Sequence, residues 1–488
     1  MRVFQPECTL PEEGPAFIQQ PNVRSTMDII WSSLVIILLC SWSITHLNVP
    51  PQLRPLPPAK SFWEQCRRSF FEAWYPSLRK TQWMLFNIIV PEFFLGKSLA
   101  DFLGARQCTK EFHEFQTREK QDDEVDWTLT HSYYANMGGV FVKFKLNPPD
   151  PNITPDIDVH RRDTKSNRFI HRCNAGYPHL GPFDWNLHKR HYDMGKAWIS
   201  EHGENHPNSG SARRLMGDVW VLSAAQLLRA RELGIISKLP GITEAQIRDK
   251  SKGDSLVKFT AVVQVVWLAI QLGIRAATGR QSSQIEITAL AFAVCASITY
   301  LLLLQQPKDI QTPTVVLADR EVTSEEFAKI VDISPNGLEA GAKYTLSTTL
   351  IPYSPPGSAA NDHLKWEALG TVGGLMAFGA IHLIAWNFHY PNETERLLWR
   401  ISALTVTFLP IPITFLLMVL IHVEINVGNN GGRLTVSLQV CAVIGLMVTL
   451  FVFLIARLFL LIEAFRSTYY LPPATYIANW ASNIPHVG

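Results

Sequence analysis

The 488-residue chain is 47% hydrophobic and 18% charged, below the roughly 25% charged share of an ordinary globular domain. Its 44 Lys plus Arg against 42 Asp plus Glu leave a formal charge of +2, so the basic footprint of a nucleic-acid binder is missing. The seven cysteines form no Cys-x-x-Cys pair, and neither a zinc knuckle nor a disulfide scaffold is indicated.

Residues 1–27 are polar and lack the basic start and small-residue cleavage site of a signal peptide. The first apolar run, 28–47, is therefore expected to stay as a span. Further runs at 256–277, 285–304, 366–387, 398–421 and 435–462 each approach or exceed the about 20 apolar residues that cross a bilayer core as a helix. The expected fold is an all-α polytopic membrane protein of six spans. A seventh candidate, WMLFNIIVPEFFLGKSLADFLGA at 83–105, is interrupted by Pro91, Glu92, Lys97 and Asp101 and reads as interfacial or re-entrant. A seven-span alternative, in which it crosses, stays open.

Basic residues set the expected orientation. Arg54, Lys60, Arg67, Arg68, Arg79 and Lys80 face only Glu64 and Glu72 between 48 and 82, which puts that side in the cytosol and the N-terminus in the lumen or outside. The organisation is then a polar segment 1–27, a span 28–47, a mixed, loop-rich cytosolic region 48–255, a hairpin of spans 256–304, a cytosolic loop 305–365, three spans in 366–465 and an external tail 466–488. The sequon at Asn392 falls outside on this count and is the expected glycosylation site; the sequon at Asn152 does so only with seven spans. The net acidic 306–365 loop runs against this orientation.

Between 48 and 82, aromatics alternate with basic residues, as in a collar at headgroup depth. HSYYANMGG at 131–139 brings His131, Tyr133, Tyr134 and Asn136 together, a compact set better explained by packing of a small subdomain than by a site. Residues 147–210 are rich in Pro, Asn, Gly and His, and long loops are expected. Within them Asp184, His188 and His191 would share a helical face and are weak metal candidates; Lys189 and Arg190 between them repel a cation. Two capping boxes, SAAQ from Ser223 and TEAQ from Thr243, open short helices. Gly253 and Asp254 then read as the break and cap before the second span.

The combination of STMDIIWSSL and SWSITHLNVP at 25–50, HSYYANMGG, DKSKGDSLVK at 249–258, EITALAFAV at 286–294, FGAIHLIAWNFHYPNETERLLWRIS at 378–402 and YYLPPATYIANWASNIPHVG at the end resembles a large family of fungal multi-span membrane proteins. The resemblance implies a fungal origin and a membrane location, in the endoplasmic reticulum or the plasma membrane. It carries no catalytic residue over. The chain departs from the family where YLLLLQQPKD ends the third span, and its His-rich stretch looks lengthened, which puts that stretch in doubt as a family-wide site.

Polar residues inside spans are costly and are the default functional candidates. Gln264, Trp267, Gln271 and Arg275 recur on one face of the second span, and Glu286 is placed to pair with Arg275 or Arg280. The glycines of the fourth span, at 370, 373, 374 and 379, permit close helix approach. His382, Trp386 and His389 follow on one expected face. Pro410 and Pro412 break the fifth span, whose inner end holds His422 and Glu424; Arg457 and Glu463 lie on the last. The preferred site joins His382, Trp386, Glu424 and Arg457, with Glu424, Arg457 and His382 as catalytic candidates. Gln264, Trp267, Gln271, Arg275, Glu286 and Trp386 are candidates for binding.

No nucleotide, haem or metalloprotease motif stands in the chain, and no cofactor is expected. Beyond the lipid bilayer the expected partner is a lipophilic small molecule. Three function classes remain: a membrane-embedded enzyme or accessory protein handling an isoprenoid-like small molecule in biosynthesis, a transporter or channel for a small metabolite, and a scaffold or sensor with a cytosolic partner.

Overall fold

The computed structural model describes residues 24–49, 61–119, 125–144, 185–204, 206, 208–251, 255–333, 358–427 and 433–477. In chain order the elements are α1 (Thr26–Ile44), α2 (Phe62–Ile89), α3 (Pro91–Glu119), α4 (Leu129–Asn136), β1 (Val140–Lys143), α5 (Trp185–His202), α6 (Ser209–Arg214), β2 (Val219–Val221), α7 (Ala224–Glu232), α8 (Glu244–Lys250), α9 (Ser255–Ala277), α10 (Gln284–Leu302), β3 (Thr314–Leu317), α11 (Ser324–Asp332), α12 (Ser358–His382), α13 (Glu393–Phe408), α14 (Pro410–Val427) and α15 (Arg433–Arg466). Among the described residues, six stretches are long and apolar enough to cross a membrane, the mark of an integral membrane protein: Thr26–Ile44, Phe259–Ala277, Gln284–Leu302, Lys365–Asn387, Glu393–Leu417 and Gln439–Tyr470. Pro410 has no N–H to continue a helix, and α13 gives way to α14 at Leu409 within the fifth stretch.

Hydrogen bonds sort the helix ends into two faces of a bundle. On one, Lys308 Nζ donates to the Ser43 carbonyl at the end of α1 (2.6 Å), Ser251 before α9 bonds Lys308, and Tyr133 Oη donates to Leu302 O at the end of α10. On the other, Arg24 before α1 pairs with Glu286 at the start of α10, and Gln284 Nε2 donates to His389 O. Successive spanning stretches thus alternate in direction. Asn392 lies on the second face, where it caps α13 by accepting from Glu395 N at 2.8 Å.

The 83–105 segment is broken at Val90, where α2 stops and Pro91 begins α3. α3 runs antiparallel to α12 at backbone contact. A Cβ on Gly370 would lie 2.8 Å from Gly96 Cα, and one on Gly374 3.1 Å from Glu92 Cβ. Glu92, in the first turn of α3, is thereby level with the middle of the Lys365–Asn387 stretch. α2 returns along α1, with Lys80 over the Trp42 ring and paired to Asp309. Its first half shows Phe62, Trp63, Phe70 and Trp74 to the outside.

A second hydrophobic core lies under the first face. It joins the C-terminal half of α3, α4, α5, α7, α8 and α11 to a three-stranded sheet of order β2-β1-β3, with β1 antiparallel to β2 and parallel to β3. Both capping boxes form: Ser223 with Gln226, and Thr243 with Gln246. HSYYANMGG is packing material here. His131, Ser132, Tyr133 and Tyr134 are buried, Asn136 Oδ1 accepts from Ala224 N to start α7, and a Cβ on Gly139 would run into the Tyr134 ring. Burial lowers the affinity of His131 for a proton, against the pull of the Ile242 carbonyl on its Nε2. The expected loops of 147–210 are corrected in part, since 185–202 is helix α5; Gly253 and Asp254 lie outside the described residues.

Candidate functional site

Among the described residues, two buried ionic clusters in the bundle contain charged residues singled out from the sequence as catalytic or binding candidates, and they differ in what they leave unsatisfied. The first lies at the second face. Ser283 caps α10, and its N–H and hydroxyl donate to Glu286 Oε2 at 2.8 and 2.9 Å. The expected partner of this carboxylate, Arg275 or Arg280, is corrected: Arg24 takes it with a two-pronged contact, 2.5 Å to Oε1 and 3.2 Å to Oε2. Arg275, fully buried, spends its fork on backbone carbonyls instead, those of Gln281, Thr475 and Ile477. Arg24 Nε also donates to Thr475 O. These bonds strap the C-terminal segment 474–477 across the bundle end, and the planar guanidinium suits several fixed acceptors. Gln264 and Trp267 are buried with Arg275 on the predicted face of α9, and Gln271 is half-buried.

The second cluster is deeper. Arg457 on α15 donates from Nη1 to Glu92 Oε1 at 2.6 Å, and its guanidinium carbon lies 4.1 Å from the centre of the Phe378 ring on α12. The Glu92 side chain is 0% exposed and that of Arg457 11%. Glu92 Oε2 has no hydrogen-bond partner among the described residues. One turn along α12, His382 packs against the same Phe378 ring and against Trp399. Its Nδ1 faces the Phe378 carbonyl at 2.7 Å, an acceptor only, so Nδ1 carries the proton; Nε2 meets Thr288 Oγ1 at 3.3 Å.

The structure therefore brings together two of the four residues of the sequence-derived site, Arg457 and His382, and adds Glu92. Trp386 is not with them. α12 tightens into a 3-10 turn over Leu383–Asn387, and the change from 3.6 to about 3.0 residues per turn rotates Trp386 off the His382 face. Arg400 holds it there, stacked on the indole and donating to its carbonyl. Glu424 is on α14, but its side chain lies outside the described residues, as does Asp184. His191 is a core residue, with its Nδ1 on Gly217 O and its ring against Phe144 and Trp220. Among the described residues His, Cys, Asp and Glu form no group of three that could hold a metal.

A model of a family of unknown function, DUF8562, matches residues 3–156, 205–363 and 367–487. The chain belongs to this family. Its model covers Glu92, His382 and Arg457, and passes over 157–204, which holds Asp184, His188 and His191. No curated protein and no solved structure matches the chain.

Glu92 was visible in the sequence only as an interruption of an apolar run. The signal that finds it is the adjacent Val90–Pro91 break, because non-helical backbone at span depth is tolerated where it is buried in protein or lines a cavity.

Proposed function

We propose that this chain is a six-span membrane protein whose Glu92–Arg457 pair receives the polar head of a lipophilic small molecule of isoprenoid-like character. The carrying observation is the unspent hydrogen-bonding capacity of the pair. The two charges cancel, so a charged head is not called for. Glu92 Oε2 needs a donor, and Arg457, with one nitrogen on Glu92 Oε1, offers further N–H groups to an acceptor. A hydroxyl supplies one of each. Arg457 also reaches the bundle wall, among the outward-facing Leu454, Ile455 and Leu458 of α15, which suits a ligand arriving from the bilayer. In an enzyme, Glu92 would serve as the base toward that hydroxyl and Arg457 would stabilise the oxyanion, with His382 positioning Phe378 and the α12 turn. The resemblance to fungal multi-span proteins supports a biosynthetic setting in an endomembrane or the plasma membrane, and the basic 48–82 segment supports a cytosolic place for the C-terminal half of α3 and for α4–α8.

Binding of farnesol to the full chain in nanodiscs tests the site. Glu92→Gln and Arg457→Met should each weaken it by about tenfold or more, the cost of one lost charge-assisted hydrogen bond. Wild-type affinity in both variants would refute the assignment.

A second reading, a transporter for a small metabolite, is favoured by the interruptions at Val90, Leu383–Asn387 and Leu409, since discontinuous helices line many transport sites. Protein-dependent flux in proteoliposomes would separate it from an enzyme.

A further inference from the structure

We propose that Glu395, Glu463 and Gln284 form a binding site for one monovalent cation at the second face of the bundle, independent of the Glu92–Arg457 site. Three helices converge there. Glu395 stands in the first turn of α13, Glu463 near the end of α15, and Gln284 at the start of α10. Each is buried, at 7%, 2% and 1% exposure.

Charge is the first argument. Arg466 Nη1 bonds Glu395 Oε1 and lies 3.7 Å from Glu463 Oε2. Two carboxylates against one guanidinium leave one negative charge uncompensated in a buried place, where an unpaired charge is costly. One added positive charge balances the cluster.

Ligand atoms are the second. Asn392 Nδ2 donates to Glu395 Oε1, and Gln284 Nε2 is spent on His389 O. The remaining oxygens, Glu395 Oε2, Glu463 Oε1 and Gln284 Oε1, are all buried without a hydrogen-bond partner among the described residues. Tyr390 meets the Gln284 side chain and feels the Glu463 charge, and Glu463 shares Arg466 with Glu395, which puts the three side chains in one locality. It cannot serve them as donor, since its hydroxyl proton goes to Ala385 O at 2.9 Å. The surrounding charged and titratable groups among the described residues are Arg466 on α15, Glu395, Arg396 and Arg400 on α13, Tyr390 in the connecting loop and Tyr470 beside Arg466. Of the cations, Arg396 is paired with Glu393 and Arg400 is engaged by Trp386 and Asn387, which leaves Arg466 to the two carboxylates. Oxygen-only coordination of low charge suits sodium, and a proton shared between the carboxylates satisfies the same balance.

Thermal unfolding of the full chain in detergent, with sodium chloride replacing choline chloride at constant ionic strength, tests this. For sodium, the melting temperature of the wild type rises and saturates, and Glu463→Gln, which is isosteric and neutral, loses the response. For a proton, the wild type shows no sodium response, but its melting temperature falls as pH rises and that of Glu463→Gln does not. Should Glu463→Gln fail to fold, Gln284→Leu keeps the net charge and removes one oxygen. It should shift the sodium midpoint upward or steepen the pH response. A wild type insensitive to both sodium and pH, or variants that match the wild type in both series, would overturn the proposal.

Discussion

A single methyl group on Gly96 should separate α3 from α12 and take Glu92 away from Arg457. An alanine Cβ there would stand 2.6 Å from Thr371 N, with the Glu367 carbonyl oxygen and Thr371 Oγ1 nearer still. Ordinary contact begins near 3.4 Å, so the helices must part by at least about 0.8 Å (3.4 less 2.6). Backbone cannot turn aside as a side chain does, which puts the strain at the upper end of the overpacking range, about 3 kcal/mol. Replacing a helical glycine by alanine returns about 1 kcal/mol, for a net loss of about 2 kcal/mol. Gly373, on α12 itself, supplies the control: nothing lies within 4 Å of its Cβ position, so Gly373→Ala keeps the gain of about 1 kcal/mol. The two variants should differ by about 3 kcal/mol, roughly a hundredfold in the unfolding equilibrium. Unfolding of the full chain by a graded detergent series, followed by tryptophan fluorescence, measures this. Equal midpoints for Gly96→Ala and Gly373→Ala would refute the backbone contact and, with it, the placement of Glu92.

Two further outcomes follow from the ends of the chain's helices. A glycosidase-sensitive mass shift should vanish in Asn392→Gln and persist in Asn152→Gln, because Asn392 is exposed on the face opposite the subdomain; the reverse result would count for seven spans. In the subdomain, the Arg320 guanidinium grips both Glu326 oxygens (2.6 and 2.9 Å) and, against a smaller effect of burial, holds the carboxyl down at about 2. A folded value below the ordinary 4.5 means stability that is complete above pH 4.5 and is lost as pH falls toward about 2. Arg320→Met should flatten acid unfolding in that window, by a small amount since the pair meets solvent; an unchanged acid limb would refute it.

What the sequence discloses here is what its local periods encode. The long helices fall where about 20 apolar residues stand together, and capping at Ser223 and Thr243 needs only residues three apart. The glycines at 370 and 374 announce a close helix neighbour but not which one. That neighbour is α3, whose Gly96 is the matching small residue. Pairings across the fold are silent in the same way: nothing near Glu286 points to Arg24, and nothing near Arg457 points to Glu92. The His-rich stretch misleads for a different reason. His191 sits in a helix whose apolar side is made by Leu187, Met194 and Trp198, and its ring serves as an aromatic in the core of Phe144 and Trp220.

Burial of charge alone would rank the three ionic clusters alike, and hydrogen-bond balance separates them. Glu286 has Arg24 and the Ser283 groups on its two oxygens, and Arg275 has carbonyls for its fork. Closed at every principal valence, that cluster pays for its burial by fastening the C-terminal segment, and a ligand would have to break it. The Glu92–Arg457 pair is closed in charge and open in hydrogen bonds, which selects a neutral polar group. The Glu395–Glu463–Arg466 set is open in both, which selects a cation. Substitutions should sort accordingly. Neutral isosteres at Glu286 should damage folding, because Arg24 and Arg275 would then be left buried beside each other with their shared anion gone. The isostere at Glu463 removes the uncompensated charge itself, and folding should survive it while the cation response does not.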